Sequence, residues 1–578
     1  MATGGGLREA RSTVPSPLLT ALHGGCHFAL PAPASCLPVG EPDARLLVRG
    51  PRAARHPEAT VLIPLPHHLL ERTGHFHLTT DTALRLTPGT EPVAELLRTA
   101  LGPSAGLPLP AAADGALSLV IDPALSGLGP EGYGLTVGSE AVLLRAGTLA
   151  GLRNGATTLL QLLPPAALGA TPVRDVVWRL PRVEITDRPR FPWRGAMLDV
   201  ARHFQPLSFL KRFVDLLALH KLNVFHLHLT DDQGWRMPVA AHPALTEIGG
   251  WRAESMVGRA GSGRFDGIPH GGYYTRGELT ELVKHAASRG VTVVPEIELP
   301  GHTRALLAAY PHLGNDPTRR LPVWTEWGVC PNVLGVSDAA VELCREVLAE
   351  VMDVFPAEHV HIGGDECPVV EWESSEAALA RVRAEGLSGP AALRGWFLRR
   401  MAAFLLENGR TPVSWDEGEE AALPPETLTM SWRTGEHTAL AARRGHRVVA
   451  TPWDRTYLDY PRSADPAEPL GQDGVVTLDA VAGFDPAPAR LPHAEAVLGT
   501  QAQLWTEFAP TPDDVEYLAF PRLAALAEAA WSAPGAAPAR GARSLSERLV
   551  KHGERLDKLR VNHRTPRRPP APQDSPLG

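Results

Sequence analysis

The run His359-Val360-His361-Ile362-Gly363-Gly364-Asp365-Glu366 closes an apolar, β-prone stretch with paired glycines and two adjacent carboxylates. Such a segment is a strand delivering acids to a surface. In a barrel of parallel strands the C-terminal strand ends line the active site, so catalytic groups belong there. Adjacent carboxylates repel, so one of the two keeps its proton unusually long. A carboxylic acid still protonated at neutral pH is what a glycosidic oxygen needs from a general acid. A solvated Asp-Glu pair opening a helix would have the same sequence, because the helix dipole favours acids there. The surrounding elements decide between the two.

Downstream of Phe191-Pro192-Trp193 the apolar pattern repeats as strand, loop, helix, the signature of parallel βα units. Strands are predicted at residues 195–200, 224–229, 291–297, 360–363, 411–415, 428–432, 448–451 and 497–504, with helices at 207–220, 276–288, 338–355, 393–407, 438–444 and 513–530. Eight strands fit a TIM (β/α)8 barrel with long loops, here spanning 186–563. Polar and aromatic residues gather at the strand ends: Asp199, Arg202 and His203; Asp231 and Asp232; Glu296, Glu298 and His302; Asp365 and Glu366; Trp415, Asp416 and Glu417; Trp432; Tyr457 and Asp459; Trp505 and Glu507. Acids and aromatic rings on one face describe a carbohydrate pocket.

Ahead of the barrel, residues 58–185 carry strand-like runs at 61–64, 75–78, 117–121 and 141–145 and helical runs at 91–97 and 151–163, which predict a small α+β domain. Residues 1–57, rich in Gly, Ala, Pro and Arg, are expected to be disordered or loosely packed, and 564–578 to form a flexible tail. A length of 578 residues calls for more than one domain. The net charge of -8 gives no footprint for nucleic acid, and no apolar run approaches the ~20 residues that cross a bilayer. No G-x-G-x-x-G follows a strand and no Walker sequence occurs, so no cofactor is expected. The cysteines (Cys26, Cys36, Cys330, Cys344, Cys367) lack metal-ligand spacing and read mostly as free thiols, with one disulfide among the last three left open. Together with an N-terminus that makes a poor signal peptide, they favour the cytoplasm slightly over secretion. All 13 Trp lie after residue 177, where flat rings could stack on a sugar.

From about residue 60 to 563 the chain resembles the family 20 glycoside hydrolases, which are β-N-acetylhexosaminidases. The resemblance rests on Arg194-Gly195-Ala196-Met197-Leu198-Asp199-Val200-Ala201-Arg202-His203-Phe204, His226-Leu227-His228-Leu229-Thr230-Asp231-Asp232-Gln233-Gly234-Trp235-Arg236 and Glu296-Ile297-Glu298-Leu299-Pro300-Gly301-His302-Thr303. It continues through the Gly-Gly-Asp-Glu run, Trp415-Asp416-Glu417, Tyr457-Leu458-Asp459 and Gln503-Leu504-Trp505-Thr506-Glu507, in the family's order. The preceding segment, down to Gly155-Ala156-Thr157-Thr158-Leu159-Leu160-Gln161-Leu162, is similar to that family's non-catalytic domain.

The resemblance implies exo-acting hydrolysis of terminal β-linked GlcNAc or GalNAc, with retention and with the 2-acetamido oxygen as nucleophile. It makes Glu366 the general acid and base, protonated at rest, and Asp365 the ionised neighbour that holds the acetamide N–H and stabilises an oxazolinium intermediate. Tyr457 would bind the acetamide oxygen, and Trp415, Trp432 and Trp505 would box the methyl group. Arg202, Asp459 and Glu507 match positions that hold sugar hydroxyls. His302 would tune Glu366, and Asp231 would orient His302. One departure concerns the leaving sugar: relatives place a Trp between the Tyr-x-Asp element and the last strand, whereas Phe484 is the only aromatic in 461–495. The partner is an oligosaccharide or small-molecule substrate ending in N-acetylhexosamine, and oligomeric state is left open.

Two rivals come from other classes. His226 and His228 form an H-x-H like that of metal-dependent barrel hydrolases, with His302 or His361 as further ligands; alternation puts the pair on one face without saying which. The other is a sugar-binding protein with a decayed site, disfavoured because a binder has no use for a proton donor.

Overall fold

The computed structural model describes residues 60–417, 423–533 and 543–564. The segment expected to be disordered or loosely packed, 1–57, and the expected flexible tail 564–578 except for Arg564 lie outside these residues, as do Cys26 and Cys36. Among the described residues no disulfide forms, and Cys330 and Cys344 are buried thiols.

The first unit is a six-stranded sheet in the order β1-β6-β4-β5-β3-β2. Its strands are β1 (His68–His77), β2 (Leu84–Leu86), β3 (Leu117–Ile121), β4 (Tyr133–Val137), β5 (Val142–Ala146) and β6 (Arg179–Asp187). Helices Glu91–Ala105 and Leu149–Leu162 pack on it, joining Leu97, Leu101, Leu152 and Leu159 to Leu117, Leu119, Leu135 and Leu144 in one core. The second helix lies close on the sheet because Gly155 has no side chain: a Cβ there would come within 2.2 Å of Leu144 Cδ1.

The second unit is a closed barrel of eight parallel strands: β7 (Trp193–Asp199), β8 (Val224–His228), β9 (Thr292–Glu296), β10 (His359–His361), β11 (Thr411–Trp415), β12 (Leu428–Ser431), β13 (Val448–Ala450) and β14 (Val497–Leu504). Each strand pairs with the next in chain order, and β14 pairs with β7 to close the ring. Every residue of β7 and β8 is buried, as strands covered on both faces require. The surrounding helices turn an apolar stripe inward; Asp338–Val354, capped by Ser337, buries Val341, Cys344, Leu348 and Val351 at helical spacing.

Several elements differ from the sequence expectation. Residues 61–64 form no strand, because the Gln161 amide takes their backbone instead: Ile63 N–H donates to Gln161 Oε1 (2.9 Å), and Gln161 Nε2 donates to Ile63 O (2.7 Å). The expected strand at 75–78 is the end of the longer β1, while β2, β4 and β6 were not anticipated. The single helix expected at 513–530 is two, Pro512–Ala519 and Arg522–Trp531, because Pro521 cannot donate to the helix and disfavours helical backbone at Phe520. A last helix, Leu545–Lys558, opens on a Ser544 and Glu547 capping box.

Candidate active site

Each expected site residue sits at or just beyond the C-terminal end of a barrel strand. Arg202 follows β7, Asp231 follows β8, His302 follows β9, and Asp365 and Glu366 follow β10. Trp415 ends β11, Trp432 follows β12, Tyr457 and Asp459 follow β13, and Trp505 and Glu507 follow β14. All except Trp415 line one cavity of about 250 Å³, below the ~300–1,000 Å³ of drug-sized pockets and suited to a single sugar ring.

The acids are delivered by a tight turn. Gly363 and Gly364 have φ of +64° and +106°, and a Cβ on Gly363 would meet Glu298 Oε2 at 1.8 Å, so only glycine fits. Glu366 then takes φ +43°, a left-handed conformation that is costly for a side-chain-bearing residue. The turn leaves Asp365 14% and Glu366 41% exposed, with carboxylate oxygens of the two within 4.8 Å of each other.

His302 stands between this pair and a second acidic pair. Its Nε2 lies 3.6 Å from Glu366 Oε2 and 3.9 Å from Asp365 Oδ2, while Nδ1 donates to Asp232 Oδ2 at 3.1 Å and faces Asp231 Oδ1 at 3.2 Å. Burial works against a charge on His302, but Asp231 and Asp232 overcome it and hold the imidazole well above its ordinary pKa. The imidazolium in turn overcomes the effect of burial on Glu366 and lowers its pKa. Asp365 is pushed up to about 7, chiefly by burial, and its Oδ1 has no hydrogen-bond partner among the described residues. The two acids are thus split as their repulsion requires, but in the opposite order to the expectation: Asp365 holds its proton to higher pH and Glu366 is the readier to ionise. The causes are the burial of Asp365 and the imidazolium, which lies nearer to Glu366.

Arg202, which shares Asp231 with His302, is fixed as a planar fork. Its Nη1 reaches Asp199 Oδ2 (3.1 Å), Nη2 reaches Asp231 Oδ2 (2.9 Å) and Nε donates to Gln233 Oε1 (3.0 Å), with the guanidinium 4.9 Å from the Trp505 ring centre. Both oxygens of Asp459 and Oε2 of Glu507 are buried without a partner among the described residues. Burial raises the pKa of each, helped at Asp459 by the neighbouring Glu507. Unpartnered buried acceptors of this kind await donors, which sugar hydroxyls supply.

The aromatic box differs from the expectation in one member. Trp432 and Trp505 reach the cavity, whereas Trp415 is 3% exposed and lies one layer deeper, 6.2 Å from Trp505, because its indole N–H is taken by Glu296 Oε1 at 2.7 Å. The cavity is also lined by Ala260, Trp327, Val329, Tyr460, Gln472 and Phe508, none of which was singled out from sequence. They sit on long loops without periodicity, where only the aromatic residues offered a signal. Phe484 packs into the core and takes no part in the pocket.

His226 and His228 do share a face, and it looks into the closed barrel. His226, Glu296 and His361 come close enough to hold an ion, but all three are fully buried and none lines the cavity. The cluster of His228, Glu296 and Glu298 is buried away from the cavity in the same way, so an ion held by the His226 and His228 pair would have no opening to substrate.

The β-hexosaminidase of Porphyromonas gingivalis is 36% identical over 481 residues, which is 82% of this chain and 60% of that protein, so the chain spans less than two thirds of this relative. The solved β-N-acetylhexosaminidase of Streptomyces coelicolor A3(2) matches with TM-score 0.76 and 33% identity, covering 90% of this chain and 100% of that one. An exo β-N-acetylglucosaminidase of Vibrio harveyi, solved with N-acetylglucosamine, matches with TM-score 0.77 and 31% identity over 90% of this chain and 82% of that one. The model of the glycosyl hydrolase family 20 catalytic domain covers residues 191–534, the whole barrel with its strand-end acids, and that of the family's domain 2 covers 59–188. By that match over more than half its length, the chain belongs to glycosyl hydrolase family 20.

Proposed function

We propose that this glycoside hydrolase is an exo-acting β-N-acetylhexosaminidase that removes terminal non-reducing β-linked GlcNAc or GalNAc with retention, the substrate's 2-acetamido group acting as nucleophile through an oxazolinium intermediate. The observation that carries this is the unequal pair: Asp365, buried and short of a donor, and Glu366, half-exposed beside it, with oxygens within 4.8 Å. Substrate-assisted hydrolases stand outside the carboxyl-spacing rule that separates inverting from retaining enzymes, so retention here follows from the acetamide acting as nucleophile. An acetamide N–H gives Asp365 the donor it lacks, and a hydrogen bond to the charged form lowers its pKa. The proton then resides on Glu366, which passes it to the leaving oxygen and later recovers one from the attacking water. Tyr457 binds the acetamide oxygen, Trp432 and Trp505 enclose the methyl group, and Trp415 backs them. Arg202, Asp459 and Glu507 hold hydroxyls. The names of the relatives and the small cavity support the substrate class and the exo action.

The test is hydrolysis of aryl β-N-acetylglucosaminide and β-N-acetylgalactosaminide beside a plain aryl β-glucoside, with a thiazoline mimic of the bicyclic intermediate as inhibitor. Expected are cleavage of the acetamido substrates, near-inertness of the glucoside and strong thiazoline inhibition. Efficient glucoside hydrolysis, or a trapped glycosyl-carboxylate on the enzyme, would overturn the mechanism.

A further inference from the structure

Beneath the pocket one buried carboxylate carries both sides of the site. Glu296, at the end of β9, is fully buried; its Oε1 accepts the Trp415 indole N–H at 2.7 Å and its Oε2 accepts from His228 Nδ1. His228 continues the line, donating from Nε2 to Asp231 Oδ2 at 2.9 Å. Asp231 also takes Arg202 Nη2 at 2.9 Å and faces His302 Nδ1 at 3.2 Å, and His302 turns its other nitrogen toward Glu366. The second branch runs from Trp415 to Trp505, whose ring carries the Arg202 guanidinium.

We infer that Glu296 and His228 are positioning residues: the two oxygens of Glu296 tie the aromatic floor and the acid/base column to one anchor, and His228, bridging Glu296 and Asp231, fixes Asp231 and through it His302 beside Glu366. This rests on the proposed role of Glu366 as the acid. The groups facing His228 are the carboxylates of Glu296, Asp231, Asp199 and Glu298, the His226 imidazole and the edge of Trp505. Burial opposes a charge on His228, but Glu296 and Asp231 prevail and hold its pKa up to about 10, whereas burial holds His226 of the same strand down to about 4. Charge therefore alternates along Glu296, His228, Asp231 and His302. Removing one member leaves its neighbour buried and uncompensated, which displaces the next.

His228→Gln cuts the branch to Asp231, and Trp415→Phe cuts the branch to the aromatic floor. His228→Gln should lower kcat on the order of 10²-fold on substrates with poor leaving groups, clearly less on activated aryl substrates, with KM little changed and the alkaline limb of the pH profile moved. Trp415→Phe should lower activity equally for both leaving-group types. Equal losses and an unmoved limb in His228→Gln would overturn the inference. A measurement on the wild-type protein stands apart from folding of the variants and from the sugar hydrolysed: with 15N-histidine labelling, two imidazolium rings, His228 and His302, should persist at about pH 8. Fewer than two would equally overturn it.

Discussion

Asp365 and Glu366 differ in what stands next to them: a cation 3.6 Å from an oxygen of Glu366, and burial with an unpartnered oxygen for Asp365. Over the working range the pair holds one proton, and its titration belongs to the pair rather than to either residue. That proton is needed wherever it starts, because substrate binding transfers it to Glu366. kcat/KM should therefore fall at low pH, where the pair takes a second proton, and fall again as pH rises through about 7, where it loses its last one. Asp365→Asn leaves Glu366 alone beside the imidazolium, whose effect is to lower the pKa of Glu366. The alkaline limb should move to lower pH, with kcat reduced by ~10²–10³ through loss of the charge facing the oxazolinium. Comparing the two pH–rate profiles checks this, and an alkaline limb left in place by the substitution would contradict the assignment.

At the scale of elements, the barrel and its strand-end residues were legible because a strand buried on both faces is an apolar run that stops abruptly at polar chemistry. The α+β strands were less so: β1 is a mostly exposed edge strand with a polar sequence, and β6 mixes Arg, Glu and Asp with its apolar residues. The Glu296 and His228 network was hidden because alternation fixes that His226 and His228 share a face but not that the face looks into the barrel. Nor could spacing reveal Arg522, which is fully buried at the start of the second helix after β14 and donates to the carbonyls of Leu458 (2.5 Å), Tyr460 (2.9 Å) and Val476 (2.7 Å). Those bonds hold the loop that presents Tyr457 and Asp459. Arg522→Lys, a point charge that cannot satisfy several carbonyls at once, should orphan buried acceptors at ~1–3 kcal/mol each. The expected outcome is a lower melting temperature with kcat/KM reduced about tenfold, measured on the folded variant; unchanged kinetics would mean the loop is held by other contacts.

The whole molecule depends on how the sheet domain meets the barrel, and one carboxylate organises that junction. Asp187, at the end of β6, accepts from Tyr133 Oη (2.7 Å), from Lys221 Nζ just before β8 (3.0 Å) and from the Trp531 indole N–H (2.9 Å). Both charges are out of water, with side-chain exposure of 1% for Lys221 and 0% for Asp187. Burial lowers the Lys221 pKa and Asp187 opposes that effect, so the ammonium relies on its partner. Asp187→Asn keeps the shape but leaves a buried cation without its counter-charge, at a cost of about 3–5 kcal/mol. Thermal unfolding should begin earlier and depend little on salt, since a buried pair is poorly screened. Removing both charges, as in Asp187→Leu with Lys221→Met, should recover part of the loss, because an apolar pair needs no counter-charge; Tyr133 and Trp531 still lose their acceptor. Lys221 lies at the N-terminal end of β8, opposite the pocket, where barrel residues serve stability rather than chemistry. kcat/KM measured well below the transition should therefore stay at the wild-type value in both variants, and a drop in activity without a drop in melting temperature would show the junction to be coupled to the site instead.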